Sequence, residues 1–279
     1  MLPLLETNII GKENKEYYKL VVDENNYSFS IFKNTDTKIL ILSEIKKDAT
    51  ITIDILENSK VELIFISYGS SNYDLNINVS RDSSLKLYTS DYYESDATIN
   101  KTINLKGTNA YLYSYEYLPV LNNNITGKFS LNHLDKNTTS EAYLYYLSRG
   151  NGTIDRDAIS TIEKDMTNSS SKEVIKGMLL SRCSKIFAKP VLIIKCDDVH
   201  AEHGCAIGTI DTNEIYYLMS RGLSYEDALK IISKSLINPI YKEIDNEEFL
   251  STVKAMLDKT IGWVNLWKNY SLYSKKIKI

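Results

Sequence analysis

Residues 189–223 read KPVLIIKCDDVHAEHGCAIGTIDTNEIYYLMSRGL and gather two of the chain's three histidines and two of its three cysteines. Cys196, His200, His203 and Cys205 are soft and borderline donors of the kind that hold iron or zinc. Their spacing, C-x3-H-x2-H-x-C, matches none of the paired spacings of closed structural zinc sites. In extended chain His203 and Cys205 share one face, two donors a pleat apart, and His200 points to the other. The pattern predicts a labile, partial site completed by another chain, and no permanently bound cofactor. A second chemistry is nucleophilic, with Cys205 attacking, His203 as base and Asp197 or Asp198 as orienter. Two neighbours on one strand are a poor frame for that arrangement, and no glycine-rich nest for an oxyanion accompanies them. The third reading is a strand end with thiols buried as small apolar groups. It also covers Cys183, and His133 in SLNHLDKN reads as structural. A P-loop, GxGxxG, HExxH and CxxC are all missing, so the sequence gives no sign of nucleotide binding or hydrolysis.

The elements that must position these residues come in two kinds. Up to about Asp165 the runs alternate with period two: KVELIFIS, DLNINVS, SLKLYTS, ATINKTINL, AYLYSYEYL, GKFSLNHL and EAYLYYLS. Alternation marks strands with one face in and one face out. Turn clusters such as ENS, YGSSN, SRDSS and KGTN separate them. Val61, Leu85 and Ala110 taken as strand starts are 24 and 25 residues apart; Thr50, Leu75 and Thr98 are 25 and 23 apart. Two interleaved strand families sharing one period predict a solenoid, specifically a parallel β-helix. The rival is a sandwich of hairpins, but two-residue Asn-Gly or Asp-Gly turns do not join these runs. Tyr111, Tyr113, Tyr115 and Tyr117 share one strand face and read as a stacked ladder in preference to a binding platform.

After Gly208 the period becomes helical. Asp211 caps TNEIYYLMSR, with Gly222 at its end. Ser224 opens a second helix with Ala228, Ile231, Ile232, Ser235 and Leu236 near one face, stopped by Asn238–Pro239. A third starts near Asn246 with an apolar stripe from Phe249 to Val264. The expected plan is mainly β: a β-helix core over 1–208 and a small C-terminal α-helical domain over 209–279. The helical part is too small for its own core and must pack on the solenoid end or on another protein.

Bulk properties bound the rest. Of 279 residues, 43% are hydrophobic and 25% charged, and the net charge of −3 gives no nucleic-acid footprint. The lysine-bearing end SLYSKKIKI reads as a solvated tail. No window reaches the roughly 20 apolar residues of a membrane span. The N-terminal residues lack a secretory pattern, and three cysteines make no disulfide framework. These point to a cytoplasmic protein with reduced thiols. The N-x-S/T matches at Asn26, Asn137 and Asn168 read as chance in a chain whose asparagine content reflects genomic composition.

Several segments resemble the SufB/SufD family of SUF iron–sulfur cluster assembly: LLS at Leu179–Ser181, KPVLII at Lys189–Ile194, DDV at Asp197–Val199, HG at His203–Gly204, and IGTID…EIYYLMSRGLS…A from Ile207 to Ala228. The resemblance is strong over Met178–Pro239 and architectural before it. DDV followed by HG looks more like SufD than SufB, although Glu202 before His203 is similar to SufB. The resemblance implies a right-handed parallel β-helix followed by a short helical domain. It implies a non-catalytic scaffold beside a SufB-like subunit (or a second copy of this chain) and a SufC-like ABC-type ATPase. It places the family's interface histidine on His203, where iron enters or a nascent cluster forms transiently. It places the ATPase grip on the helices at about 212–221 and 225–237, with Tyr216, Tyr217, Arg221, Tyr225 and Ile231 as contacts. Two departures stand out. Cys205 occupies a position where the family more often has alanine, so its candidacy as a transient iron contact is this chain's own. Strand-like sequence also begins almost at once, where family members carry a sizeable N-terminal helical region. Two other functions compete: a purely structural partner, and a carbohydrate-active β-helix enzyme of the pectin-lyase type. The latter needs a carboxylate cluster on one face, and Asp54, Asp74, Glu94 and Asp96 do not recur at the coil period.

Overall fold

The structure, a computed structural model, describes residues 2–5 and 9–261. Val264 and the lysine-bearing end lie outside the described residues. Sixteen strands alternate between two parallel sheets. One sheet stacks β1 (Ile9–Ile10), β3 (Asn26–Ile31), β5 (Ala49–Ile55), β7 (Tyr73–Val79), β9 (Ala97–Leu105), β11 (Asn124–His133), β13 (Thr153–Ile162) and β15 (Lys185–Ile194). The other stacks β2 (Lys15–Val22), β4 (Asp36–Ile45), β6 (Lys60–Gly69), β8 (Ser84–Tyr93), β10 (Tyr111–Val120), β12 (Thr139–Ser148), β14 (Ser169–Leu179) and β16 (Val199–Thr209). Each strand pairs with the one a full coil away and never with its chain neighbour, so this is a β-solenoid and not a sandwich of hairpins.

The expected period holds early and then widens. Val61 pairs with Leu85, 24 residues on, but Leu85 pairs with Leu112, not Ala110. Thr50 pairs with Asp74, and Leu75 with Lys101. By β12 and β14 the step has grown to 31, Thr139 with Ser170. The added residues sit in the connections, so the strands keep their parity.

One corner of nearly every coil is set by a residue in the left-handed region: Asn34, Asn58, Asp82, Asn109, Asn137, Asp165 and Asn168, with φ between 55 and 64°. That conformation costs most L-residues about 1–2 kcal/mol, and asparagine and aspartate tolerate it best. The amides of these residues other than Asp165 bond the next coil, as in Asn58 N–H to Arg81 O at 3.1 Å and Asn137 N–H to Thr167 O at 3.0 Å. The N-x-S/T matches at Asn137 and Asn168 therefore have a structural origin. Thr138 and Ser169, which follow them, turn inward and bond each other at 2.9 Å. Asparagines also stack on the outer face of the odd-numbered sheet: Asn78 donates to Asp54 at 2.6 Å, Asn104 to Asn78 and Asn132 to Asn104 at 2.9 Å. Much of the asparagine content is thus architectural, which corrects its assignment to genomic composition.

Among the described residues four helices follow: α1 (Thr212–Ser220), α2 (Tyr225–Ser235), α3 (Asn238–Glu243) and α4 (Glu247–Thr260). Asp211, Ser224 and Asn246 cap α1, α2 and α4 as expected, and Gly222 takes φ +92° after α1. Pro239 does more than stop α2. It sits in the first turn of α3, where its missing N–H costs nothing. The face of α2 is turned slightly from expectation: Ala228, Leu229 and Ser233 are buried, while Ile231 and Ser235 are exposed.

The position of the helical part also differs from expectation. Instead of standing at the solenoid end, α3 and α4 lie along the outer face of the even-numbered sheet. There Leu40, Ile64, Tyr88 and Tyr115 form apolar columns that demand cover. Ile240, Phe249, Val253 and Leu257 supply it. Polar ties fix the strap along its length: Tyr17 to Asp245 at 2.9 Å, Tyr115 to the Leu236 carbonyl at 2.7 Å, and Lys259 to Glu94 at 2.7 Å. The tyrosine ladder is as expected, with Tyr115 stacked on Tyr145 at 4.8 Å and Tyr113 on Tyr143 at 5.7 Å.

Candidate functional site

Among the described residues the solenoid is open at its last coil: β15 and β16 each have a neighbour on one side only. Along β14 the residues Ser169, Ser171, Glu173 and Ile175 are buried and their neighbours are not, so these four point into the lumen. The register stacks His203 on Glu173 and Cys205 on Ile175. Both side chains therefore line the mouth of the solenoid, one rung above its floor. Ile207 continues the column over Gly177, where an added Cβ would meet Ile207 at 3.0 Å and Ile186 at 3.2 Å. The Cys205 sulfur lies 4.0 Å from the carbonyl of Ala188 on the facing strand β15. His203 and Cys205 are exposed because nothing stacks on them among the described residues.

The other sequence candidates are not brought to this mouth. His200 is on the outer face, 4.0 Å from Glu202, which is itself paired to Lys172 at 2.8 Å. Cys196 sits in the connection between β15 and β16, Cys183 is exposed in the connection before β15, and all three thiols are free. Asp197 and Asp198 share that connection with Cys196, so the arrangement of a nucleophile, base and orienter is not formed. Among the described residues no three His, Cys, Asp or Glu side chains are gathered so as to hold a metal ion as they stand. Burial, and then the nearby Glu173 carboxylate, push the Cys205 thiol up, which favours the neutral form.

Beneath the mouth lies a feature the sequence reading missed. Lys101 on β9 is fully buried in the lumen, bonding Asp91 at 2.6 Å, Glu116 at 2.8 Å and Thr89 at 2.9 Å. Arg156 on β13, also fully buried, is 3.5 Å from Glu116 and from the Lys128 carbonyl. Burial pushes the Asp91 carboxyl up, but the Lys101 ammonium and hydroxyls of Ser67 and Tyr73 outweigh it and hold the group below the usual range. Glu173 differs. It accepts from Ser160 at 3.0 Å, its other oxygen has no partner among the described residues, and burial pushes its carboxyl up to about 7. The missed signal was parity. Lys101, Glu116 and Arg156 fall on the largely apolar inward beat of their strands, as in Ala97, Ile99, Lys101, Ile103, Leu105, while Glu173 shares its inward beat with Ser169, Ser171 and Ile175.

The acids weighed for a glycosidase face are used differently. Asp54, Asp74 and Asp96 accept from Asn78, Asn100 and Asn124, and Glu94 pairs with Lys259.

The α1–α2 pair forms a second candidate surface. It holds a small core of Ile215, Ala228 and Leu229 against Leu180 and Ile210 at the strand ends. Tyr216, Tyr217 and Tyr225 are 67%, 59% and 53% exposed, and Ile231 is exposed beside them. The Arg221 guanidinium stacks over the Tyr217 ring at 5.3 Å, a cation–π contact that holds both outward. A groove of about 410 Å³ runs between Leu179, Leu180, Ile215, Tyr216, Met219 and Tyr225.

Comparison with known proteins decides which family carries this mouth and this helix pair. The description "SUF system FeS cluster assembly, SufBD core domain" matches residues 12–236. The chain belongs to the SufB/SufD family. Among similar proteins, the SufBD family protein of Mycobacterium leprae is 29% identical over 133 residues, 47% of this chain and 15% of that relative. SufD of Bacillus subtilis is 27% identical over 105 residues, 38% of this chain and 24% of the relative. SufB of the same organism is 26% identical over 133 residues, 47% and 29% of the two chains. The matched stretches thus span less than a third of these relatives. Within the SufB/SufD fold, the matched core runs from the first coils through α2. Among the described residues no helix is long and apolar enough to cross a membrane.

Proposed function

We propose that this chain is a SufD-like, non-catalytic scaffold subunit of SUF iron–sulfur cluster assembly. In this reading its last coil pairs with a SufB-like subunit, and α1 and α2 dock a SufC-like ATPase through Tyr216, Tyr217, Arg221, Tyr225 and Ile231. The observation that carries the reading is the open mouth. β15 and β16 offer a row of unpaired backbone groups, a template for strand addition. They also expose Phe187, Ile193, Ile194 and Ile207 at an end where earlier coils are covered. A partner strand laid there would seal the lumen and bring its own donors to His203 and Cys205. Iron or a nascent cluster is then cargo, held in passing by an imidazole and a thiolate from this side.

The test is co-expression with the SufB-like and SufC-like genes, followed by cluster reconstitution. Substituting His203→Ala should leave the complex intact and lower cluster yield. Tyr217→Ala with Tyr225→Ala should release the ATPase while the SufB-like subunit stays bound. Full cluster yield in the His203→Ala complex would reduce the chain to a structural partner. Failure of the unaltered chain to bind either protein would end the proposal.

A further inference from the structure

We infer that the mouth of the solenoid is a cation site belonging to this chain alone, with the Glu173 carboxylate as a third donor beneath the His203 imidazole and the Cys205 thiolate, and a borderline divalent cation, ferrous iron or zinc, as its ligand. The inference rests on the proposed function and deepens it by supplying a donor from within the subunit. Parallel strands lie about 4.8 Å apart and same-face neighbours about 6.7 Å apart, so the three side chains start from corners of one small triangle. His203 stands directly over Glu173, and Cys205 is diagonal to it. The donors are not yet converged. The two upper ones are exposed on the final strand and free to turn, whereas Glu173 is fixed from below by Ser160 at 3.0 Å.

Glu173 has an unfilled role. It is fully buried, and one carboxylate oxygen has no hydrogen-bond partner among the described residues. A buried acceptor left unpaired is destabilising, more so when charged. The lumen's two cations do not relieve it: Lys101 is committed to Asp91 and Glu116, and the Arg156 ion pair is with Glu116. A divalent cation between Glu173 and the last strand would give that oxygen its partner. One imidazole nitrogen, one thiolate and one carboxylate oxygen form a mixed set suited to zinc or ferrous iron. Three protein donors leave a fourth position open toward the mouth, where a partner's ligand or an incoming sulfur could bind.

The experiment titrates the purified, reduced chain, without partners and without oxygen, with Co2+ as a spectroscopic probe and Zn2+ by calorimetry. The unaltered chain should take one equivalent and show thiolate-to-cobalt charge-transfer absorption. Cys205→Ser should abolish that absorption. Glu173→Gln should keep it and weaken binding about tenfold or more, since even outer-shell changes cost that much. Glu173→Asp, which keeps the carboxylate, should recover part of the loss, and circular dichroism checks that each variant keeps its strands. Unchanged affinity in a folded Glu173→Gln, no stoichiometric binding, or a charge-transfer band surviving Cys205→Ser would each overturn the inference. A chain that binds its SufB-like partner but fails this titration loses the inference and keeps the proposed function. A chain that passes it but binds no partner does the reverse.

Discussion

His133 offers a test of the lumen that needs no partner and no metal. It closes β11, pairs in register with Leu105 and Ile162, and is fully buried. Its ring nitrogens lie 2.8 Å from the Thr138 hydroxyl and 2.9 Å from the Ser140 hydroxyl, so a neutral imidazole is satisfied with one donor and one acceptor. Burial pushes the group down to about 4, only partly offset by Thr138. Its ordinary value is 6.5. A base depressed in the folded state contributes stability that is fully present above the unfolded value and is lost as pH falls toward the folded one. The full difference is worth about 3 kcal/mol between pH 6.5 and 4, and about 2 kcal/mol is already lost at pH 5. The loss should be local, because each coil touches only its neighbours. Hydrogen exchange of β11 and β12 amides, measured at several pH values after correction for intrinsic rates, should show protection falling by that amount. His133→Gln, which keeps a donor and an acceptor, should flatten the dependence. A folded-state imidazole titrating near 6.5 by NMR would refute the reasoning, as would parallel pH profiles of variant and parent.

The charge cluster and the turn ladder give two further tests. Lys101→Met leaves Asp91 and Glu116 buried without their ammonium; it should cost about 3–5 kcal/mol in urea unfolding, and adding Asp91→Asn and Glu116→Gln should regain much of that. Asn137→Ala places a Cβ-bearing, non-amide residue at φ 57° and should lower stability by about 1–2 kcal/mol, whereas Asn137→Gly should be nearly neutral by thermal denaturation.

The solenoid was legible in the sequence because its strands alternate strictly and its early coils repeat at 24 residues, as Val61 and Leu85 do. It blurred where connections lengthened, which is why Ala110 was taken for the partner that is Leu112. Helix starts were legible because Asp211, Ser224 and Asn246 carry their own capping chemistry. α3 was not, since Asn-Pro reads as an end and its N-cap makes no side-chain bond. The place of the helices was not legible either: apolar parity says that Leu40 and Ile64 leave the lumen, not what meets them. At the site, the shared face of His203 and Cys205 followed from period two alone. Glu173 lies thirty residues earlier, and only the register between β14 and β16 puts it underneath.

The filling also changes along the molecule, in the lumen from the middle coils onward and on the outer face at the last coil. The first coils fill the lumen with Ile39, Ile53, Leu63, Phe65 and Ile77. The later ones put Lys101, Glu116, Arg156 and Glu173 there. Buried ion pairs roughly break even, at best, against apolar residues of like size, so a stack selected for stability alone has no reason to change its filling. On the outer face of the odd-numbered sheet the change runs the other way. Asp54, Asn78, Asn104 and Asn132 form a polar row, yet Thr161, the next residue in that row, is followed by Ile193. Asp155, in the row of Thr98 and Thr126, is likewise followed by the exposed Phe187. A terminal coil that only faced water would be expected to keep its polar outside and apolar inside. The outer change fits a last coil whose outer face meets protein, and the inner change fits a lumen that meets a charged species. The two changes can be separated by experiment. Phe187→Asn with Ile193→Asn, which extend the polar outer face by one rung, should weaken partner binding and leave cobalt affinity unchanged.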